Sequence, residues 1–269
     1  AEALLAACQS HGKKIQDLVR ANECAFFSPG EVRAGLLVVA QAMRASVERG
    51  LATEGVLGSG SKRTAPSWSD AARATGAAPA QLASVYATAA AEENAAGGRV
   101  VSAPTCGSAG PVAALLQLWR DSAPLGHEDR VIDFLLAGAA VGTLLRAAGV
   151  QQVGCQGEVG VAAAMAAAGF AAVQGASNAQ VLYAAERALA PHLGLACDPA
   201  GGRIEHPCIE RNALAAARAY EAALAAVRTP APRVGLDVLA RSVVESGRAM
   251  AGRYKATSIG GVAVNVAEC

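Results

Sequence analysis

Aromatic side chains are scarce in this 269-residue chain: phenylalanine, tyrosine and tryptophan together make up 4% of it. β-Sandwiches and barrels draw on aromatic and β-branched residues. A chain poor in the former and rich in Ala and Gly suits closely packed helices with small contact residues instead. Net charge is nearly absent as well, at +1, so no strong field argues for nucleic acid or a membrane surface. Clean apolar runs of membrane-spanning length are missing. Residues 131–150 are interrupted by Asp133 and Arg146, and the uncharged stretch 159–173 is short and contains Gly169. Both read as buried helices of a soluble, cytoplasmic protein. No internal repeat, Walker A loop or H-E-x-x-H is present. No signal sequence is apparent, and a first residue of Ala1 leaves room for an upstream domain.

What is there reads as helix. Apolar Leu4, Leu5, Ile15, Leu18 and Val19 recur at helical spacing over residues 2–22. Ser28-Pro29 starts a long helix that runs to about Leu51, with Ser at the cap and Pro in the first turn. Residues 53–66, with three Gly, two Ser and a Pro, form the clearest loop. Within it Ser59-Gly-Ser61-Lys62 matches S-x-x-K, but the partner motifs Ser-Asp-Asn and Lys-Thr-Gly are missing, so the match is a coincidence. Lys62 and Arg63 are either an anion contact or a solvated loop. Further helices are expected over 79–96, 111–119, 126–148, 177–193, 212–227 and 234–250. The sum is a single all-α domain, 1–269, of roughly ten helices.

Seven cysteines is an odd number, ordinary for free or metal-bound thiols in the cytosol. Three stand in distinctive turns: Gly-Cys155-Gln-Gly-Glu158, Cys197-Asp-Pro-Ala-Gly-Gly and His206-Pro-Cys208-Ile-Glu-Arg-Asn212. Three thiolates near helix ends suit a soft metal centre with one position open, yet spacings of 42 and 11 match no zinc finger or ferredoxin run. Three buried thiols acting as small apolar residues explain the same pattern. A helix start near Cys155 would lower its pKa, and Glu158 is either a first-turn acid or a catalytic one. The turn Ser102-Ala-Pro-Thr105-Cys106-Gly107-Ser108-Ala-Gly110 precedes Pro111 at a helix start, where unpaired N–H groups attract anions and glycines let a carboxylate approach. A tight turn alone is the plainer reading.

These segments, with Glu92-Glu-Asn-Ala-Ala-Gly-Gly-Arg-Val-Val and Gly252-Arg-Tyr-Lys255-Ala-Thr257-Ser-Ile-Gly-Gly261, resemble the α chain of the iron–sulfur-dependent L-serine dehydratases over nearly the whole sequence. The resemblance implies a [4Fe–4S] cluster held by Cys155, Cys197 and Cys208, and conversion of L-serine to pyruvate and ammonia in amino-acid degradation and gluconeogenesis. It implies that Ser102, Thr105, Cys106, Gly107, Ser108 and Gly110 surround the substrate, with Cys106 lining the pocket and not ligating. Lys255 and Thr257 join that turn in holding the carboxylate and ammonium ends, and His206 is a candidate acid or base. It further implies that Cys269 folds back to cap the open iron.

One departure stands out. The family pairs this domain with a β domain carrying Gly-Pro-Ser-Ser-Ser-His-Thr, whose histidine is the favoured base. The only histidines here are His11, His127, His192 and His206, none in such a segment. The base is therefore expected on a separate β chain or on upstream sequence, in a homo- or hetero-oligomer. Rival readings are an L-cysteine desulfidase on the same cluster and a non-catalytic iron–sulfur subunit. A pyridoxal-phosphate enzyme is weaker, since only Lys13, Lys14, Lys62 and Lys255 could form its Schiff base and strand–helix alternation is absent.

Overall fold

Ser28 opens the longest helix by a reciprocal capping box. Its hydroxyl accepts from the Glu31 N–H, and Glu31 Oε2 accepts from the Ser28 N–H at 2.8 Å. This helix is α3 (Pro29–Ala52), one of eleven α-helices in the computed structural model, which describes residues 1–123, 127–229 and 234–266. The others are α1 (Glu2–Ser10), α2 (Ile15–Glu23), α4 (Ala65–Thr75), α5 (Pro79–Ala95), α6 (Gly110–Ser122), α7 (Glu128–Ala147), α8 (Cys155–Val173), α9 (Asn178–Leu189), α10 (Cys208–Arg228) and α11 (Leu236–Ala249). The described residues hold no strand, only two isolated bridges. The all-α expectation holds, with differences in detail. The first expected helix is two, α1 and α2, separated at Gly12, which lies in the left-handed region at φ +59°. And α4 begins inside the expected loop.

The centre of the fold is α8. Every residue in it except Glu158 and Met165 is buried, and α6, α7, α9 and α10 pack around it. By length and composition α8 could cross a membrane, but 89% of its apolar window lies inside the protein, as in a core helix. Small residues let its neighbours come close. A Cβ added at Gly169 would sit 2.7 Å from the Phe134 carbonyl of α7, so only glycine permits that crossing.

The start of α4 explains why local sequence hides it. Its cap residue, Thr64, makes no side-chain cap bond of its own. The orphan N–H groups are met from α5: Glu92, 1% exposed, accepts from Thr64 N at 2.6 Å, Thr64 Oγ1 at 2.9 Å and Ala65 N at 3.3 Å. The neighbouring Glu93 accepts from Arg63 Nη2 at 2.8 Å and Arg49 Nε at 2.9 Å. Two buried acids thus fasten the end of the 53–64 loop to the body of the protein.

Gly169→Val should destabilise the fold by about 1–3 kcal/mol, read by urea unfolding, because the α7–α8 crossing has no room for the added carbons. Burial opposes ionisation of Glu93, but hydrogen bonds from Arg63 and Arg49 outweigh it and lower its pKa. A lowered carboxyl pKa contributes stability above the unfolded value of about 4.3, and that stability is lost as pH falls through the folded value. Glu93→Gln should therefore cost on the order of 3 kcal/mol at pH 7, and the gap from wild type should close below about pH 4.

Candidate metal centre

Gly154 makes the turn into α8 at φ +71°, and a Cβ there would lie 3.0 Å from Cys197 Cβ. The bare glycine lets Cys155, the first residue of α8, meet Cys197. Cys197 sits on an extended segment paired with the C-terminal region: its N–H donates to Tyr254 O at 2.8 Å, and its carbonyl accepts from Ala256 N at 2.9 Å. Cys155 Sγ, Cys197 Sγ and a Glu158 carboxylate oxygen all lie within 4.8 Å of one another. Cys208, the first residue of α10, is also buried and close enough for the Cys197 charge to act on it, but lies outside that tight group. Cys269 lies outside the described residues.

The protonation chemistry of this group fits a soft cation. The Cys155 thiol donates to Cys197, and that bond, with burial and the facing thiolate, raises the Cys155 pKa. The same bond brings Cys197 down to about 7. Burial, then the Cys197 charge, pushes Cys208 up to about 11, and burial raises Glu158. The sequence suggested a thiolate eased by the helix dipole at Cys155; the hydrogen bond to Cys197 and burial hold that thiol protonated instead. Buried thiols crowded together can exchange their protons for a cation, and sulfur donors favour soft metals and iron–sulfur clusters.

One arginine organises the surroundings. Arg211 Nη1 donates to Cys155 Sγ at 3.5 Å and to Ala196 O at 2.8 Å, and Nη2 donates to Asp198 Oδ1 at 2.7 Å. The other oxygen of Asp198 accepts from Val262 N at 2.8 Å. Gly261 makes that possible, since a Cβ on it would lie 2.1 Å from Asp198 Oδ2. Burial works against the Asp198 carboxylate, but the Val262 N–H and Arg211 together hold its pKa below the usual range.

The expected substrate turn is tied to the same place. Fully buried Asn212 accepts from Gly110 N at 3.0 Å and donates from Nδ2 to Gly107 O at 2.8 Å and Cys208 O at 2.9 Å. Gly110 is thus accounted for by packing: a Cβ there would lie 2.8 Å from both Ala87 O and Asn212 Oδ1. Ser102 Oγ and Cys106 Sγ lie 3.1 Å apart at the exposed lip, and Thr105 Oγ1 and Ser108 Oγ are 3.0 Å apart. Lys255 Nζ donates to Arg248 O in α11 at 3.1 Å, and Thr257 Oγ1 to Arg253 O on its own segment at 2.8 Å. The Lys255 backbone, however, pairs with Cys197. His206 engages both ring nitrogens, Nδ1 with Glu210 Oε1 at 2.8 Å and Nε2 with Ser61 Oγ at 3.0 Å.

Sequence reading passed over Asp198, Arg211 and Asn212. The signal was present in Cys208-Ile-Glu-Arg211-Asn212: positions i, i+3 and i+4 share one helix face, so a thiol, a cation and an amide project together. Asp198→Asn should loosen the C-terminal segment. Hydrogen bonds to charged groups contribute about 1.5–3 kcal/mol, so exchange at the Val262 amide should quicken by roughly ten- to a hundredfold. Hydrogen-exchange mass spectrometry checks this.

Residues 10–263 match the family described as serine dehydratase alpha chain. The chain is similar to the L-serine dehydratase of Streptomyces coelicolor, with 43% identity over 99% of this chain and 60% of that protein. It is likewise similar to L-serine dehydratase 2 of Escherichia coli, 41% identical over 97% of this chain and 60% of that protein. The Mycobacterium tuberculosis L-serine dehydratase is 41% identical over 99% of this chain and 61% of its own length. The chain thus spans about 60% of the length of these relatives. With the family match running from α1 to the segment that caps Asp198, the chain belongs to the serine dehydratase alpha chain family.

Proposed function

We propose that this chain is the cluster-bearing part of an L-serine dehydratase, which converts L-serine to pyruvate and ammonia. The observation that carries the reading is the convergence of Cys155, Cys197 and Glu158 donor atoms within 4.8 Å, with Cys208 at the adjoining helix start, in a chain of this family. Cys155, Cys197 and Cys208 are the proposed ligands of a [4Fe–4S] cluster. When bound, such a cluster supplies a Lewis-acidic iron that makes the serine hydroxyl a better leaving group.

The protein's own part is to position and to manage charge. Arg211 faces Cys155 and would offset its charge once the thiol gives up its proton to a metal, and its grip on Asp198 keeps the Cys197 turn in register with the C-terminal segment. Asn212 fixes the turn 102–110 against the Cys208 helix, so substrate held by Ser102, Thr105, Cys106, Gly107 and Ser108 keeps a set distance from the cysteines. Lys255, whose ammonium keeps donors beyond its bond to Arg248 O, is suited to the substrate carboxylate. Loss of the α-proton and of hydroxide gives aminoacrylate, which tautomerises and hydrolyses to pyruvate and ammonia. The base for the α-proton is assigned to the remaining part of the relatives' length, on a β domain or chain.

Anaerobic reconstitution with iron and sulfide tests the ligands. Cys155→Ala, Cys197→Ala and Cys208→Ala should each fail to hold the cluster, whereas Cys8→Ala and Cys24→Ala should load as wild type. Iron content and visible absorption report this. Full loading of Cys208→Ala would move the third ligand to Glu158. Pyruvate release should need the β partner, and without it fall by on the order of a hundred- to ten-thousandfold.

A further inference from the structure

The loop between α3 and α4 does not hang free. Its backbone folds into a small hairpin, with Leu57 N donating to Ser61 O at 2.8 Å and Arg63 N to Gly55 O at 2.9 Å. The base of the hairpin is pinned by Arg63 on Glu92 and Glu93. Its tip is gripped by the segment that leads into Cys208. Arg203 donates to Gly58 O; Glu205, 3% exposed, accepts from Ser59 N at 3.2 Å and from Ser59 Oγ. His206 Nε2 meets Ser61 Oγ at 3.0 Å. Between base and tip, Leu57 is 5% exposed and packs with Ala91 and Ile209 in a small apolar cluster separate from the main core. Ile209 is the residue directly after Cys208.

We infer that the Gly55–Arg63 hairpin is a shield clipped over the Cys208 side of the cysteine centre, and that Glu205 is the positioning residue that holds it there. A buried carboxylate between two ligand-bearing turns needs a reason, because burial of an acid is unfavourable unless hydrogen bonds compensate it. Here the compensating donors all come from the hairpin tip. The apolar Leu57–Ile209 contact closes the hairpin against the first turn of α10, which Cys208 begins, while the three polar grips fix the hairpin in place. In this arrangement His206 serves the shield: its two ring nitrogens are occupied by Glu210 and Ser61.

The inference about shielding stands on the metal-free chain; only its bearing on serine turnover rests on the dehydratase reading. The test is residue-resolved alkylation by iodoacetamide of the metal-free protein, followed by mass spectrometry. Glu205→Ala should speed alkylation of Cys208 by about ten- to a hundredfold, the range expected for losing hydrogen bonds to a charged group. Leu57→Ala should do the same by removing the plug. Cys8, buried at a distance in the main core, should react as slowly as in wild type, which separates local opening from general unfolding. Glu205→Gln, which keeps an acceptor for Ser59, should restore protection. Amide exchange at residues 57–61 should rise and recover in step. In the loaded enzyme with its β partner, Glu205→Ala should hasten iron loss in air. Unchanged Cys208 reactivity in both Glu205→Ala and Leu57→Ala overturns the shield. Equal acceleration at Cys8 overturns it as well, since the effect is then global. Absence of pyruvate formation by the loaded wild-type protein with its partner would count against the dehydratase reading alone.

Discussion

The cysteine centre depends on one guanidinium. Arg211 reaches Cys155 at the start of α8, the Ala196 carbonyl beside Cys197, and Asp198 in the turn that follows. It projects from the first turns of α10, the helix that Cys208 begins. One planar cation therefore ties the start of α8 and the 196–198 turn to the start of α10, and its fork geometry fixes their separation. Asp198 extends the arrangement, because its second oxygen holds the C-terminal segment at Val262. Remove the guanidinium and the turn, the helix start and the C-terminal segment lose their common reference.

The same economy runs through the molecule. Charged residues are few, and the buried ones sit at joints between elements. Glu92 on α5 satisfies the start of α4, and Glu186 on α9 accepts from Val234 N and Gly235 N, both at 3.0 Å, at the start of α11. In each case a carboxylate from one helix meets orphan N–H groups at the N-terminus of another, where the dipole also favours negative charge. Tertiary capping of this kind makes helix formation conditional on assembly, so helices that are weak alone appear only in the folded protein.

That conditionality sets what the sequence discloses. Ser28-Pro29 names the start of α3 because the cap is local, and the Ala/Gly bias announces helices that touch closely. The start of α4 stays hidden because its cap lies on Glu92, 28 residues away. α10 begins at Cys208, four residues before the expected Asn212, with Pro207 at its cap position. At the site, the cysteine turns and the 102–110 turn are legible from their residues and from family resemblance. The approach of Cys197 to Cys155 and Glu158, and the double duty of Asp198, are not, because each depends on a long-range approach that only packing creates.

The alanine-filled interior of α8 has a consequence for the folding balance. A buried alanine removes little apolar surface from water, but it has no side-chain rotamers to freeze, whereas each buried leucine or isoleucine gives up about 0.5–1 kcal/mol of rotamer entropy. The core thus forgoes both a large gain and a large loss, and relies on backbones lying close, as where Gly169 meets the Phe134 carbonyl. Such a core has little slack on either side. It has few long side chains that can rearrange to take up a larger neighbour, so substitutions along α8 are confined to a narrow range of volumes. The helix that carries Cys155 into the site is held in place by what its residues lack.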